Sequence, residues 1–159
     1  MSAQRPSDAE LAAHPAAYWT GVAHEALIAF VRAQLAELGL TQPQYWLLRN
    51  LSEDDLSPDG RGMSVPELQQ AMSTYLRRED DLNSEAEILL KRGWLTADGE
   101  GRLWITEAGD EARAAIKQHV PAIRDRIHHG IDDADHLTAL MVLQQMIRNT
   151  GDRPGAPRT

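Results

Sequence analysis

A mainly α-helical domain carrying one small β-hairpin is the fold class this sequence predicts, and three observations predict it. Apolar residues recur at helical spacing through several long stretches. Helix entry and exit signals bracket those stretches. One pair of short β-type runs, "WLT" and "RLWIT", flanks the Gly-containing turn "ADGEG", which is a hairpin signal. The length, 159 residues, suits one structural domain with a real core.

Residues 1–15 read as a flexible N-terminus. A long helix then runs over 16–38 and is closed by Gly39. It carries one apolar row at Tyr18, Val22, Ala26, Ala29 and Ala33 and a second at Leu27, Val31, Leu35 and Leu38. Two rows leave little polar face, so both sides need cover, and a partner subunit would supply it. Thr41 caps a helix over 42–51, with Pro43 in the first turn where proline is tolerated. "SEDDLSPDGRG", residues 52–62, is a loop by composition. "SVPE" is a capping box in which Ser64 and Glu67 satisfy each other's backbone. The stripe Val65, Leu68, Met72, Tyr75 and Leu76 carries that helix to about Leu76.

"RREDD" breaks the stripe, and the start of the next helix stays open between two solutions. Ser84 and Glu87 form a second capping box, or Asp80 or Asp81 caps and the helix starts earlier. Leu82, Ala86, Leu89 and Leu90 give its buried face and Gly93 ends it. After the hairpin, Thr106 caps a helix with Ala112, Ile116, Val120, Ile123 and Ile127 on one face, bent at Pro121. Asp132 or Asp133 caps a last helix reaching about Asn149. Its stripe of Leu137, Leu140, Leu143 and Ile147 is widened by Met141, Val142 and Met146. Residues 150–159 are Gly/Pro-rich without apolar periodicity and read as a disordered tail. Three helices plus a hairpin make a winged helix-turn-helix over 41–106. The helices of 16–40 and 107–149 flank it as dimerisation helices, because stripes this wide would leave a monomer with large exposed apolar patches.

Composition excludes several classes. Cysteine is absent, so there is no disulfide framework and no thiolate nucleophile or ligand. The first residues show no signal-peptide pattern. The most apolar stretch, 16–38, contains His24, Glu25, Arg32, Gln34 and Glu37, which argues against a membrane span and fits a cytoplasmic protein. No Gly-rich phosphate loop, HExxH or triad spacing occurs, so neither catalysis nor a cofactor is expected. His128, His129 and His136 lie near Asp132 and Asp135. Adjacent helical histidines point about 100° apart, so a solvated helix end is a better reading than a metal site.

Three segments carry a family resemblance. "LAELGLTQPQYWLLRNL" (35–51), "LLKRGWL" (89–95) and "GRLWITEAGDEA" (101–112) resemble, in this order and spacing, the MarR family of winged-helix regulators. "KRGWL" is also reminiscent of the PadR family, which shares the winged core. The resemblance spans roughly residues 16–150. It implies a homodimer joined through its terminal helices, two winged lobes on a pseudo-palindromic double-stranded DNA operator, and often a small-molecule effector between dimerisation helices and winged domain. Glu100-Gly101-Arg102 stands where the family's wing usually carries Asp-x-Arg, with the acid orienting the arginine toward a minor groove.

The charge sets the difficulty for this reading. The chain is net −8, and across 64–109 nine acids face only Arg77, Arg78, Lys91, Arg92 and Arg102. The expected DNA surface places Arg77, Arg78 and Arg102 on the backbone, Asn83 and Ser84 at base edges, and Glu85 as acceptor from a cytosine amino group. Steep salt sensitivity follows from such contacts. Glu79–Asp81 suit a helix N-terminus simply as caps. For an effector, Trp19, His24, Tyr45 and Trp46, with Tyr18, are the candidates, although core packing accounts for the aromatics and a satisfied histidine for His24. Trp94 and Trp104 are expected to pack across the hairpin strands. The alternative function is a winged scaffold with weak or lost DNA binding that acts as a protein-interaction or sensor module through its acidic face.

Overall fold

The computed structural model describes residues 5–151. The element order is α1 (Asp8–Ala12), α2 (Ala16–Glu37), α3 (Gln42–Leu51), α4 (Val65–Ala71), α5 (Leu82–Lys91), β1 (Leu95–Ala97), β2 (Leu103–Ile105), α6 (Glu107–Lys117), α7 (Val120–Ile127) and α8 (Asp133–Thr150). The chain divides into two compact units, one up to Ile123 and one from Arg124 onward. Most of the expected disordered tail, and residues 1–4 of the expected flexible N-terminus, lie outside the described residues. Among those described, no helix is long and apolar enough to cross a membrane.

In the first unit α3, α4 and α5 pack together around Leu47, Leu48, Leu51, Leu68, Met72 and Leu89, all essentially inaccessible. Burying each such side chain is worth about 1.5–3 kcal/mol, which makes this cluster the main source of the unit's stability. β1 and β2 form an antiparallel hairpin with Thr96 opposite Trp104 and Leu95 opposite Ile105. Leu95 and Leu103 turn into the core, and Met63 extends the pairing by a bridge to Leu103. Three helices and a hairpin in this order are a winged helix-turn-helix.

Several boundaries differ from the sequence reading, each for a physical reason. A short helix, α1, occupies part of the segment read as flexible. Ser7 and Glu10 form its capping box, and the Trp19 indole N–H donates to Leu11 O (2.9 Å). α4 ends at Ala71 and not near Leu76, because Ser73, Thr74 and Tyr75 are poor helix formers and Tyr75 stacks instead on Trp46, ring centroids 4.1 Å apart. The bent helix expected over 107–127 is two helices. Pro121 cannot donate to the carbonyl four residues back and its ring crowds it, so α6 stops at Lys117. Trp94 lies just before β1, so it and Trp104 are not cross-strand neighbours.

Residues 52–62 are more than a solvated loop. Asp55 accepts from Arg49 Nε (3.2 Å) and Nη2 (3.1 Å) and from Arg113 Nη1 (3.2 Å), while Lys117 Nζ stands 3.5 Å away. Arg113 Nε donates to Asp110 (2.7 Å), which also accepts from Ser52 Oγ (2.6 Å). The Arg113 and Asp55 side chains are only 5% and 3% exposed. This network clamps α3 and its following loop to α6.

Burial pushes the Asp55 carboxyl up, but Arg49, Lys117 and Arg113 outweigh it and hold it below the ordinary range. Hydrogen bonds from Arg113 and Ser52 hold Asp110 low as well, and the bond from Arg32 does so for Asp80. Carboxylates whose folded pKa is depressed bind protons more readily unfolded, so acid favours unfolding. Their stabilisation is complete above the unfolded carboxylate range of about pH 4 and is lost as pH falls below it. The melting temperature is therefore expected to drop steeply between about pH 4 and pH 2, and Asp110→Asn should flatten that slope in a calorimetric pH series.

Candidate nucleic-acid interface

The outward surface of α5 is set by what holds its inward side. Leu82, Ala86 and Leu89 are buried against α3 and α4. Asp81 is the N-cap, accepting from Asn83 N (3.1 Å), Ser84 N (3.3 Å) and Ser84 Oγ (2.9 Å). This settles the open start in favour of the aspartate over a Ser84–Glu87 box. Asp80 turns the other way. It receives both Arg32 Nη1 (3.0 Å) and Nη2 (2.6 Å) from α2, and the Arg77 backbone N–H (2.6 Å). Two acids of "RREDD" are thus engaged by the protein itself. Only Asp80 is drawn partly inside, whereas Asp81 caps α5 from an exposed position and Glu79 is exposed.

The expected DNA-facing residues divide. Asn83 and Ser84 are exposed at the start of α5. Arg78 is exposed and makes no hydrogen bond or ion pair with the described residues. Glu85 is engaged within the protein: its carboxylate accepts from Thr41 Oγ1 (2.8 Å) and ties α5 to the N-terminus of α3. Arg77 is turned toward α2, where Nη2 lies 3.6 Å from Glu25. Arg102 is engaged as well. Its Nη1 donates to Gly62 O (3.0 Å), and Glu67 and Glu100 flank it at 3.8 Å each, so the wing arginine lies back against the loop before α4. Gly62 sits under the Trp104 indole, where a Cβ would collide with the ring. Asp98 closes the wing turn by accepting from Glu100 N, Arg102 N and Trp104 Nε1 (2.9 Å each).

The face that remains is Asn83, Ser84, Glu87, Ile88 and Lys91, all exposed, in two adjacent rows at i, i+4 spacing. Sequence reasoning missed the last three. The signal was there: they are the positions of 82–91 left over once Leu82, Ala86, Leu89 and Leu90 are turned inward. Lys91 ends this face without an ion-pair partner among the described residues, while Arg78, in the turn before α5, lines the crevice against α2. Arg92 donates to Gly39 O (3.2 Å) and lies 5.1 Å from the Trp94 ring centroid. Three of the five bases of the winged region, Arg77, Arg92 and Arg102, are thus engaged within the protein.

The proposed effector residues are not gathered in one place. Trp19 meets Tyr18 and His14 edge-on at the start of α2, where His14 and Tyr18 stack on each other. Tyr45 is core, and burial pushes its hydroxyl up. Trp46 lies between Tyr75 and the Arg49 guanidinium, 4.5 Å from its ring. Only His24 lines a crevice, of about 430 Å³, with Glu25 and Ile28 from α2 and Leu76–Glu79 from the turn before α5. The Arg77 Nε buried beside it has no hydrogen-bond partner. In the second unit, the His128 and His136 rings approach to 4.3 Å across the α7–α8 turn. Among the described residues no group of three or more His, Cys, Asp or Glu could hold a metal ion.

A helix-turn-helix with a short wing, preceded by a long helix that reaches the turn through Arg32, defines the winged-helix class of folds. Solved structures define it more narrowly. A MarR family transcriptional regulator from Silicibacter pomeroyi is similar over 92% of this chain and 100% of its own, with TM-score 0.67 and 17% identity. A Mycobacterium tuberculosis MarR family protein in complex with DNA matches 87% of this chain and 99% of its own, with TM-score 0.62 and 22% identity. The same protein in complex with p-aminosalicylic acid covers 84% and 98%, with TM-score 0.62 and 21% identity. No family model and no curated protein matches the chain. The winged helix-turn-helix is of the MarR type, and the PadR alternative is not needed.

Proposed function

We propose that this chain is a homodimeric DNA-binding transcriptional regulator whose grip on DNA responds to a small effector. The observation that carries the reading is the outward face of α5, with Asn83, Ser84, Glu87, Ile88 and Lys91 all exposed and Arg78 exposed in the turn before it. Structural neighbours of this fold solved with DNA and with p-aminosalicylic acid support it. A cytoplasmic site of action goes with the role. Two copies would set their α5 helices in successive major grooves of a pseudo-palindrome. The second copy is argued from α8, where Leu137, Leu140, Met141, Val142, Met146 and Ile147 are all exposed, Met141 by 60%. A monomer rarely leaves such a surface open.

The effector would sit in the His24 crevice and is a small organic anion that competes with Glu25 for Arg77. Arg32 and Asp80 join α2 to the turn before α5 at the same place, so a ligand there acts on the recognition helix directly. It shifts DNA affinity only by preferring one placement of that turn over another.

A gel shift on the duplex directly upstream of the chain's own coding sequence, at low salt, tests the reading. Arg78→Ala and Lys91→Ala are each expected to lower the slope of log affinity against log salt by about 1. Arg77→Ala should leave the slope unchanged and alter the response to added anions such as salicylate. A protein-interaction module remains the second reading, favoured by one observation: Arg77, Arg92 and Arg102 are engaged while Glu79, Glu87 and Glu100 are exposed. Failure of heparin or random DNA to retain the protein at about 50 mM salt favours it, since phosphate contacts are strong there.

A further inference from the structure

We infer that Glu87 and Ile88 set the base preference of α5, the carboxylate accepting from a cytosine amino group and the apolar side chain meeting a thymine methyl group. The inference rests on the DNA-binding reading and specifies what the face selects.

Both residues sit mid-helix, one turn beyond Asn83 and Ser84, side by side on the two exposed rows. Neither has a task inside the protein. Glu87 makes no hydrogen bond or ion pair with the described residues, and it stands past the first turn, where an acid would favour the helix dipole. Ile88 is 41% exposed, whereas the other apolar residues of α5 turn into the core. Glu85, the acid that sequence nominated for base contact, is occupied by Thr41.

A carboxylate is repelled by phosphates, so an acid at the centre of a DNA-reading face is tolerated only where it meets a donor. In the major groove, guanine offers two acceptors, O6 and N7. Adenine offers its amino donor beside the N7 acceptor, which opposes a second carboxylate oxygen. Cytosine offers the N4 amino group without a neighbouring acceptor of that kind, so it is the base a lone carboxylate selects. An isobutyl-sized apolar side chain has one specific partner in that groove, the C5-methyl of thymine. No arginine lies on the face. Guanine therefore enters the recognised sequence as the partner of the selected cytosine.

Selection from a randomised duplex pool by the full chain tests this, with wild type, Glu87→Gln and Ile88→Ala compared. Wild type should enrich one cytosine and a nearby thymine in each half-site. Glu87→Gln should lower the cytosine preference by roughly five-fold or more and move it toward adenine, which glutamine reads bidentately. Replacing the selected thymine by uracil should weaken wild type several-fold and leave Ile88→Ala unaffected. Both side chains are exposed, so unchanged melting curves are expected and separate recognition from folding. If the two variants bind DNA and enrich the wild-type consensus unchanged, the assignment is overturned while the regulator reading stands. If wild type enriches nothing, both fall together.

Discussion

Arg113→Ala is expected to be the most destabilising change considered, costing about 3–5 kcal/mol, because it leaves a buried carboxylate partly uncompensated. Among the described residues the Arg113 guanidinium touches both Asp110 and Asp55, and it links the loop after α3 to α6. Without it Asp55 keeps Arg49 and Lys117, and Asp110 keeps Ser52, so the loop and α6 stay joined only by the weaker Lys117 pair and the Ser52 hydrogen bond. Lysine at the same position should recover only part of the loss, since one ammonium group lacks the fork that spans two carboxylates. Chemical denaturation of wild type, Arg113→Ala and Arg113→Lys checks the order.

Gly109→Ala comes next and has a sign opposite to the usual one. A glycine replaced by alanine inside a helix commonly gains up to about 1 kcal/mol. Here a Cβ would enter the space of the Trp94 carbonyl oxygen and meet Ile105 Cγ1 at 3.0 Å. That carbonyl accepts the Thr106 N–H (3.0 Å), and Thr106 Oγ1 accepts from Gly109 N (3.0 Å) while donating to Gly93 O (2.7 Å). The glycine is therefore where the start of the wing and the start of α6 come closest. Overpacking against backbone should cost about 1–3 kcal/mol and displace the hairpin. Gly21→Ala in α2 is the control. Nothing lies within 4 Å of its Cβ position, so the ordinary gain is expected in a thermal melt.

The elements legible in the sequence were those written in local chemistry. Thr41, Ser64 and Thr106 each cap the helix that the spacing assigned them, although Glu67 accepts from the Ser64 hydroxyl and does not reach back to its backbone N–H, so that box is half formed. The hairpin turn is where "ADGEG" put it. What stayed hidden depended on partners distant in sequence. Asp80 and Asp81 are adjacent and chemically identical, yet one caps α5 and the other holds Arg32, 48 residues away. No local signal separates them. Arg77 and Arg78 divide the same way. The segment 52–62 read only as a loop by composition because the cations that hold its Asp55, Arg113 and Lys117, lie far along the chain.

The same limit shaped the site. The sequence nominated α5 and, on it, Asn83 and Ser84, which the structure leaves exposed. It could not tell that Thr41 claims Glu85, which shifts the central acid of the face to Glu87. The effector aromatics were grouped by sequence proximity, whereas the fold sends Tyr45 into the core and leaves Trp19 at the start of α2. His24 was the one of the four that the fold brought to a crevice, and it did so through residues 76–79, which pattern alone assigns to a helix end and a turn.

The central claim is that α5 is displayed outward so that two copies read one DNA duplex together. The stoichiometry of the complex, measured by sedimentation with the upstream duplex at about 50 mM salt, tests it most directly. Two chains per duplex, protecting half-sites about one helical turn apart, is the predicted result. A single chain bound per duplex, or no complex at that salt, contradicts it.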